Sequence, residues 1–134
     1  MKYILFFIIL LIYSCNKISC SNLEYTDGLT YKNGKLFTGD CSDYFSNGQV
    51  RSIQTYLNGM DHGKWKFYHP GQIPQTLGEF KNGIRIGTWK YYYSNGKIWK
   101  INKYDSTGKK VGKWFTYAMD GTTDTIVTFS KSDN

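Results

Sequence analysis

The sequence predicts an all-β chain, an elongated single-layer antiparallel meander of about four β-hairpin repeats, and three observations carry that prediction. The first is a recurring stretch. Gly87-Thr88-Trp89-Lys90-Tyr91-Tyr92-Tyr93-Ser94-Asn95-Gly96 has counterparts at Gly63-Lys64-Trp65-Lys66-Phe67-Tyr68-His69-Pro70-Gly71, at Gly112-Lys113-Trp114-Phe115-Thr116-Tyr117-Ala118-Met119-Asp120-Gly121 and, more weakly, from Gly39 to Gly48. The second is the period: the leading glycines Gly39, Gly63, Gly87 and Gly112 follow one another at 24, 24 and 25 residues, a spacing at which each unit is one supersecondary element of a repeat architecture. The third is composition. Aromatic residues make up 18% of the chain, and 14 glycines stand against 2 prolines, which suits short strands and tight turns. No helical apolar period follows residue 20.

The first 15 residues stand apart. One lysine, Lys2, precedes an apolar run of 11 residues from Tyr3 to Tyr13. A span needs about 20 such residues, so the run fits the core of a secretory signal, which is excluded from fold reasoning. It ends in Ile12-Tyr13-Ser14-Cys15, which resembles the lipobox of bacterial lipoproteins with a bulky Tyr13, and the resemblance implies lipidation at Cys15. The expected localisation is that of an exported, membrane-anchored lipoprotein of a cell envelope. The other reading is a plain signal cut near Ser19-Cys20-Ser21, giving a secreted or periplasmic protein. The chain therefore divides into a signal at 1–15, a polar tether at 16–28 and a repeat domain at 29–134. If Cys15 is acylated, Cys20 and Cys41 remain. They could pair, or Cys41, at the position that is tryptophan in the other copies, could be a small buried residue of an end repeat; both readings stand open here. No CxxC or Cys/His cluster points to a metal, and no motif points to a cofactor.

The net charge is +7 for the whole chain and one less once Lys2 is removed. Basic residues fall singly among aromatics, as on a solvated strand face, with an anion-binding or headgroup-binding surface as the alternative.

In order along the chain, Leu29 to Gly34 is a half repeat. Each full unit then carries two turn signals. The first is Asn47-Gly48, Pro70-Gly71, Asn95-Gly96 or Asp120-Gly121, and the second is Asn58-Gly59, Asn82-Gly83 or Thr107-Gly108; such dipeptides supply the positive φ that hairpins demand. Strands are expected from Trp65 to Tyr68 with Thr76 to Phe80, and from Trp89 to Tyr93 with Ile98 to Tyr104. Ile73-Pro74 weakens one strand start, since proline donates no ladder bond. Trp65, Trp89 and Trp114 are expected to stack as a spine on one face, each burying about 150–250 Å². Gly63, Gly87 and Gly112 are expected to allow close backbone approach between hairpins. An aromatic recurs three residues after the Trp position, at Tyr44, Tyr68, Tyr92 and Tyr117. Because the side-chain period of a strand is two, either a bulge intervenes or both faces carry apolar material. A single layer of about nine strands would run about 40 Å and could not hide both faces by itself.

The pattern resembles the MORN repeat in its bacterial variant, with Gly87, Trp89, Tyr92, Asn95 and Gly96 matching in full, Cys41 departing from the tryptophan and Pro70 from the asparagine. The resemblance covers residues 29–129 and implies a curved single layer of stacked hairpins. Proteins of this variant carry labels such as antitoxin or immunity protein of the YwqK type, while other MORN proteins are described as scaffolds or membrane-associated modules.

Catalysis needs convergent polar groups, and the sequence supplies few. His62 and His69 lie apart within one repeat, the acids stand mostly at turns, and no phosphate loop or nucleophile elbow is present. The expectation is a non-enzymatic exported repeat protein that binds a protein partner, a toxin in the immunity reading, with Tyr68, Tyr91, Tyr92, Tyr93, Trp99 and Tyr117 as candidate partner-binding residues. The alternative is a membrane-apposed structural or scaffold lipoprotein. The export signal argues against a nucleic-acid partner, and no small-molecule substrate is evident.

Overall fold

The computed structural model describes residues 17–130; the leader and Cys15 lie outside them. Glu24–Thr26 (β1), Leu29–Lys32 (β2) and Lys35–Leu36 (β3) form a small antiparallel sheet. Gly39–Tyr44 (β4), Val50–Leu57 (β5), Met60–His69 (β6), Ile73–Lys81 (β7), Ile84–Tyr92 (β8), Ile98–Tyr104 (β9), Gly112–Tyr117 (β10) and Thr123–Phe129 (β11) form an eight-stranded sheet in sequence order. The four hairpins β4–β5, β6–β7, β8–β9 and β10–β11 are the four repeats, and the expected meander is what the chain adopts.

The turns fall into two kinds. Asn58-Gly59 and Asn82-Gly83 have both residues in the left-handed region, at φ 50° and 78° and at 50° and 81°, the twist that a two-residue hairpin requires. The turns inside each unit are longer. Tyr93 N–H donates to the Lys97 carbonyl and Gly96 N–H to the Tyr93 carbonyl, at 2.9 and 3.0 Å, with only Gly96 at positive φ. Thr107-Gly108 was expected to match the Asn-Gly pairs. It closes the longer way instead, with Asp105 N–H donating to the Lys109 carbonyl at 3.0 Å. The extra residue in the last period is accommodated there, and the β9–β10 ladder shortens to Phe115↔Ile101 and Thr116↔Lys100 with an isolated bridge at Tyr104↔Lys110.

Every boundary between units is a bulge built from the Gly-x-Trp motif. Ile53 pairs Lys66 and Thr55 pairs His62, so Gly63-Lys64-Trp65 stands against Gln54 alone. Gly87-Thr88-Trp89 stands against Gly78 in the same way. The third boundary places Gly112-Lys113-Trp114 against Asn102, with Val111 N–H donating to the Lys103 carbonyl. The leading glycines take φ of 62°, 67° and 65° there, a conformation costly for any residue with a Cβ. Close backbone approach is not the reason at Gly87, where a Cβ would meet nothing within 4 Å, or at Gly112, where it would meet only the Lys103 side chain at 3.8 Å, while at Gly63 it would touch the Thr55 side chain at 3.4 Å.

The spine is also corrected. The tryptophans do not stack on one another; aromatics of the second strands lie between them. Ring centroids run Phe37–Tyr56 5.8 Å, Tyr56–Trp65 5.4 Å, Trp65–Phe80 4.8 Å and Phe80–Trp89 4.9 Å, and resume at Tyr104–Trp114 5.3 Å and Trp114–Phe129 4.8 Å. Most of these contacts are edge-on or tilted, the arrangement that aromatic quadrupoles favour. Arg85 and Lys110 hold the same place in successive repeats and cover this row, at 4.5 Å from the Trp89 ring and 5.1 Å from that of Trp114. Such cation–π contacts suit a face that has no second layer.

The three-residue interval meets both of its alternatives. A register shift falls directly before Tyr44, Tyr68, Tyr92 and Tyr117, so each unit does contain a bulge. The unmatched residue, however, lies on the second strand, at Arg51, Gln75, Trp99 or Asp124. Pro74 is tolerated because it adjoins one of these bulges. The face opposite the spine carries its own transverse row, Ile53–Lys66–Leu77–Lys90–Ile101–Phe115–Ile126, each residue in register with the next. Lysine stems there cover aliphatic neighbours while their charges reach water.

Residues 16–28 were expected to be a tether, yet from Ile18 onward they are fastened to the first unit. Ile18 bridges Cys41 in parallel, Ser42 N–H donates to the Ile18 carbonyl at 2.8 Å, and a short 3-10 turn follows at Cys20–Asn22. Cys20 and Cys41 form a disulfide. The cause is the missing tryptophan. Cys41 leaves room in the end unit, and Ile18, Cys20 and Leu23 fill it against Phe37, Cys41 and Tyr56. Asp43 completes the fastening. Burial raises its pKa, but hydrogen bonds from Ser19 Oγ and Ser21 N–H and the Arg51 guanidinium outweigh this and hold it below the ordinary value.

Candidate functional site

The bulge at Trp99 creates the most distinctive surface of the sheet. Tyr91 pairs Lys100 and Tyr92 pairs Ile98, so Trp99 has no partner across the ladder, and its side chain stands 44% exposed. Tyr91 approaches it edge-on at 6.2 Å between centroids, and Tyr93 lies tilted at 6.2 Å. Tyr91 in turn stacks on the spine through Trp89 at 6.4 Å. These rings, with Tyr92, His69, Gln75, Thr76 and Ser94, line an open cleft of about 460 Å³.

Its walls are fixed by backbone hydrogen bonds. His69 Nε2 donates to the Tyr92 carbonyl at 3.0 Å and Tyr93 Oη donates to the Tyr117 carbonyl at 2.8 Å. Burial pushes the Tyr91 hydroxyl above its ordinary pKa by disfavouring the phenolate. No acid lines the cleft. Its chemistry is that of an anchor site, with flat apolar surfaces edged by neutral donors and acceptors.

Of the sequence-predicted residues, Tyr91, Tyr92, Tyr93 and Trp99 come together here. Tyr68 and Tyr117 do not. Tyr68 is half-buried beside Pro74, its register partner, and Tyr117 stacks on Phe115 at 6.1 Å and lines a neighbouring depression with Lys97, Ile98 and Asp120. Sequence reasoning missed His69 and Gln75 as cleft residues. A signal for Gln75 existed: Arg51, Gln75 and Trp99 recur at the repeat period, so they share the bulged position.

The other candidate groups have structural partners. His62 Nδ1 accepts from Asn82 N–H at 3.4 Å. Asp105 and Asp120 accept from the hydroxyls and N–H groups of Thr107 and Thr122, which lower their pKa values. Asp61 is raised by burial, with Arg85 opposing. Among the described residues no group of three or more His, Cys, Asp or Glu is placed to hold a metal ion, and no helix is long and apolar enough to cross a membrane.

A single-layer antiparallel meander of Gly-x-Trp hairpins defines the class of this molecule. The family model described as a MORN repeat variant matches residues 37–58 and 85–106, and these two segments are similar to that repeat. The first segment contains β4–β5 and the second covers β8–β9 apart from Ile84, and the hairpins β6–β7 and β10–β11 repeat the same construction. No curated protein and no solved structure matches the chain.

Proposed function

We propose that the protein is a non-enzymatic binding module, exported and anchored through Cys15, that holds a protein partner in the Trp99 cleft. In the immunity or antitoxin reading that the resemblance suggests, the partner is a toxin. The observation that carries the proposal is the break in the repeat at Trp99. The equivalent positions hold Arg51, Gln75 and Asp124, while this one places a large, exposed aromatic beside two tyrosines. A residue outside the spine contributes little to burial, whereas exposed aromatics in a cleft are the usual anchors of an interface.

The opposite face favours a second reading, a membrane-apposed scaffold. Lys64, Lys66 and Lys90 surround Leu77 there with Glu79 as the one acid, and a lysine near an anionic surface contributes about 1 kcal/mol. The two readings predict opposite orders of effect. Under the first, Trp99→Ala weakens partner capture by about 1 kcal/mol or more and Lys90→Gln leaves it unchanged. Under the second, Lys66→Gln with Lys90→Gln abolishes binding to anionic vesicles, added salt does the same, and Trp99→Ala has no effect. Metabolic labelling with a fatty-acid analogue, retained in the wild type and lost in Cys15→Ala, tests the anchor.

A further inference from the structure

The two edges of the large sheet are finished differently. At β4 the residues from Ile18 to Asn22 lie along the edge, bonded through Ser42 N–H and stapled by the Cys20–Cys41 disulfide. At β11, among the described residues, nothing pairs with the outer edge. Unpaired edges are usually blunted by lysine, proline or a bulge. The bulge at Asp124 blunts only the start of β11. Thr125-Ile126-Val127-Thr128-Phe129 has no charge, no proline and no irregularity, and Ile126 and Val127 are about half exposed.

We propose that this edge pairs with the same edge of a second copy of the chain, giving a two-fold dimer with one continuous sixteen-stranded sheet. A register centred on Val127 sets Val127 against its own copy, Ile126 against Thr128 and Thr125 against Phe129, so the whole uncharged segment is paired. Val127 and Phe129 share the spine face, since side chains two apart lie on one side of a strand. The two spine faces then join through the Val127 pair, Val127 being the ladder partner of Trp114, with Phe129 set beside Thr125 of the second copy. Charge agrees with this register. Lys110 stands 5.5 Å from the Phe129 ring, and Asp124 of the second copy falls just beyond that end of the ladder; among the described residues Asp124 has no ion-pair partner. The pairing also closes. Because the β4 edge is lined by the chain's own N-terminal segment, a dimer made through β11 leaves the large sheet no bare edge among the described residues.

Sedimentation equilibrium of the purified protein over a wide concentration range tests the inference. The expected result is a species of twice the chain mass that dissociates on dilution, is lost in Val127→Lys, and is captured as a disulfide-linked pair by Val127→Cys under mild oxidation. The unfolding midpoint of dilute Val127→Lys should stay at that of dilute wild type, which shows that the variant folds. Single-chain mass throughout, open-ended assembly, or a dimer that survives Val127→Lys would each overturn it. Loss of the dimer leaves the Trp99 cleft intact, so this test and the partner-capture test fail independently.

Discussion

Trp89 and Trp114 occupy the same place in successive repeats, yet their surroundings differ. Trp89 is 2% exposed, while Trp114 is only half-buried. The residue beneath each explains this. Trp89 lies over Gly78, where an added Cβ would come within 2.2–2.5 Å of the indole ring. At the same place under Trp114 stands Asn102, and under Trp65 stands Gln54. Side chains there hold the indole off the strand. A polar consequence follows: Trp65 Nε1 and Trp114 Nε1 donate to the Thr55 and Lys103 carbonyls at 2.9 Å, whereas Trp89 Nε1 finds no partner among the described residues. The middle unit gains burial and forgoes a hydrogen bond, a loss of about 1–3 kcal/mol for a buried donor. Identical motifs therefore contribute unequally, and the neighbouring strand decides how much.

The largest effect expected from this contrast is at Trp89 itself. Trp89→Ala should cost about 3–5 kcal/mol in unfolding free energy, as for a buried large-to-small change, and Trp114→Ala distinctly less. Denaturant titrations of the two variants check it. The first unit extends the comparison, because there a disulfide stands where the other units have an indole. Cys20→Ser with Cys41→Ser should cost about 2–4 kcal/mol, the range for a crosslink closing a loop of this size, and hydrogen exchange should rise at Ser42 N–H, which donates to Ile18. The smallest effect concerns pH at the same cap. Asp43 is held below its ordinary value of 3.8, so its contribution is present above the unfolded pKa and is lost as pH falls through the lowered folded value. Protection of Ser42 N–H relative to its intrinsic exchange rate should therefore fall below about pH 4, and Asp43→Asn should remove that acid dependence.

Much of the fold was legible because a repeat multiplies its own signal. One Gly-x-Trp match is weak, but glycines at 39, 63, 87 and 112 fix four hairpins and their order. The positions of the bulges were less accessible. Sequence shows that Trp89 and Tyr92 are three apart; it does not show which strand takes the extra residue, and that choice leaves Trp99 unpaired and exposed. The part taken by Tyr56, Phe80, Tyr104 and Phe129 in the spine was hidden for a related reason. Each sits opposite a leading glycine, Gly39, Gly63, Gly87 or Gly112, and that register depends on the turn type. The cap of residues 18–23 was obscured by polar composition, since Ile18, Cys20 and Leu23 are too widely spaced to look like a strand. Of the candidate partner-binding set, Tyr91, Tyr92, Tyr93 and Trp99 converge because they flank one bulge, while Tyr68 and Tyr117 belong to other repeats.

The most direct test of the idea that the strand beneath sets the value of each tryptophan is a double-mutant cycle between Gly78→Asn and Trp89→Ala, read as unfolding free energies. Gly78→Asn alone should cost about 1–3 kcal/mol through overpacking. In the Trp89→Ala background it should cost little, because the ring it collides with is gone, leaving a coupling of about 1 kcal/mol or more. Additive costs would contradict the explanation and would mean that Trp89 owes its burial to something other than Gly78.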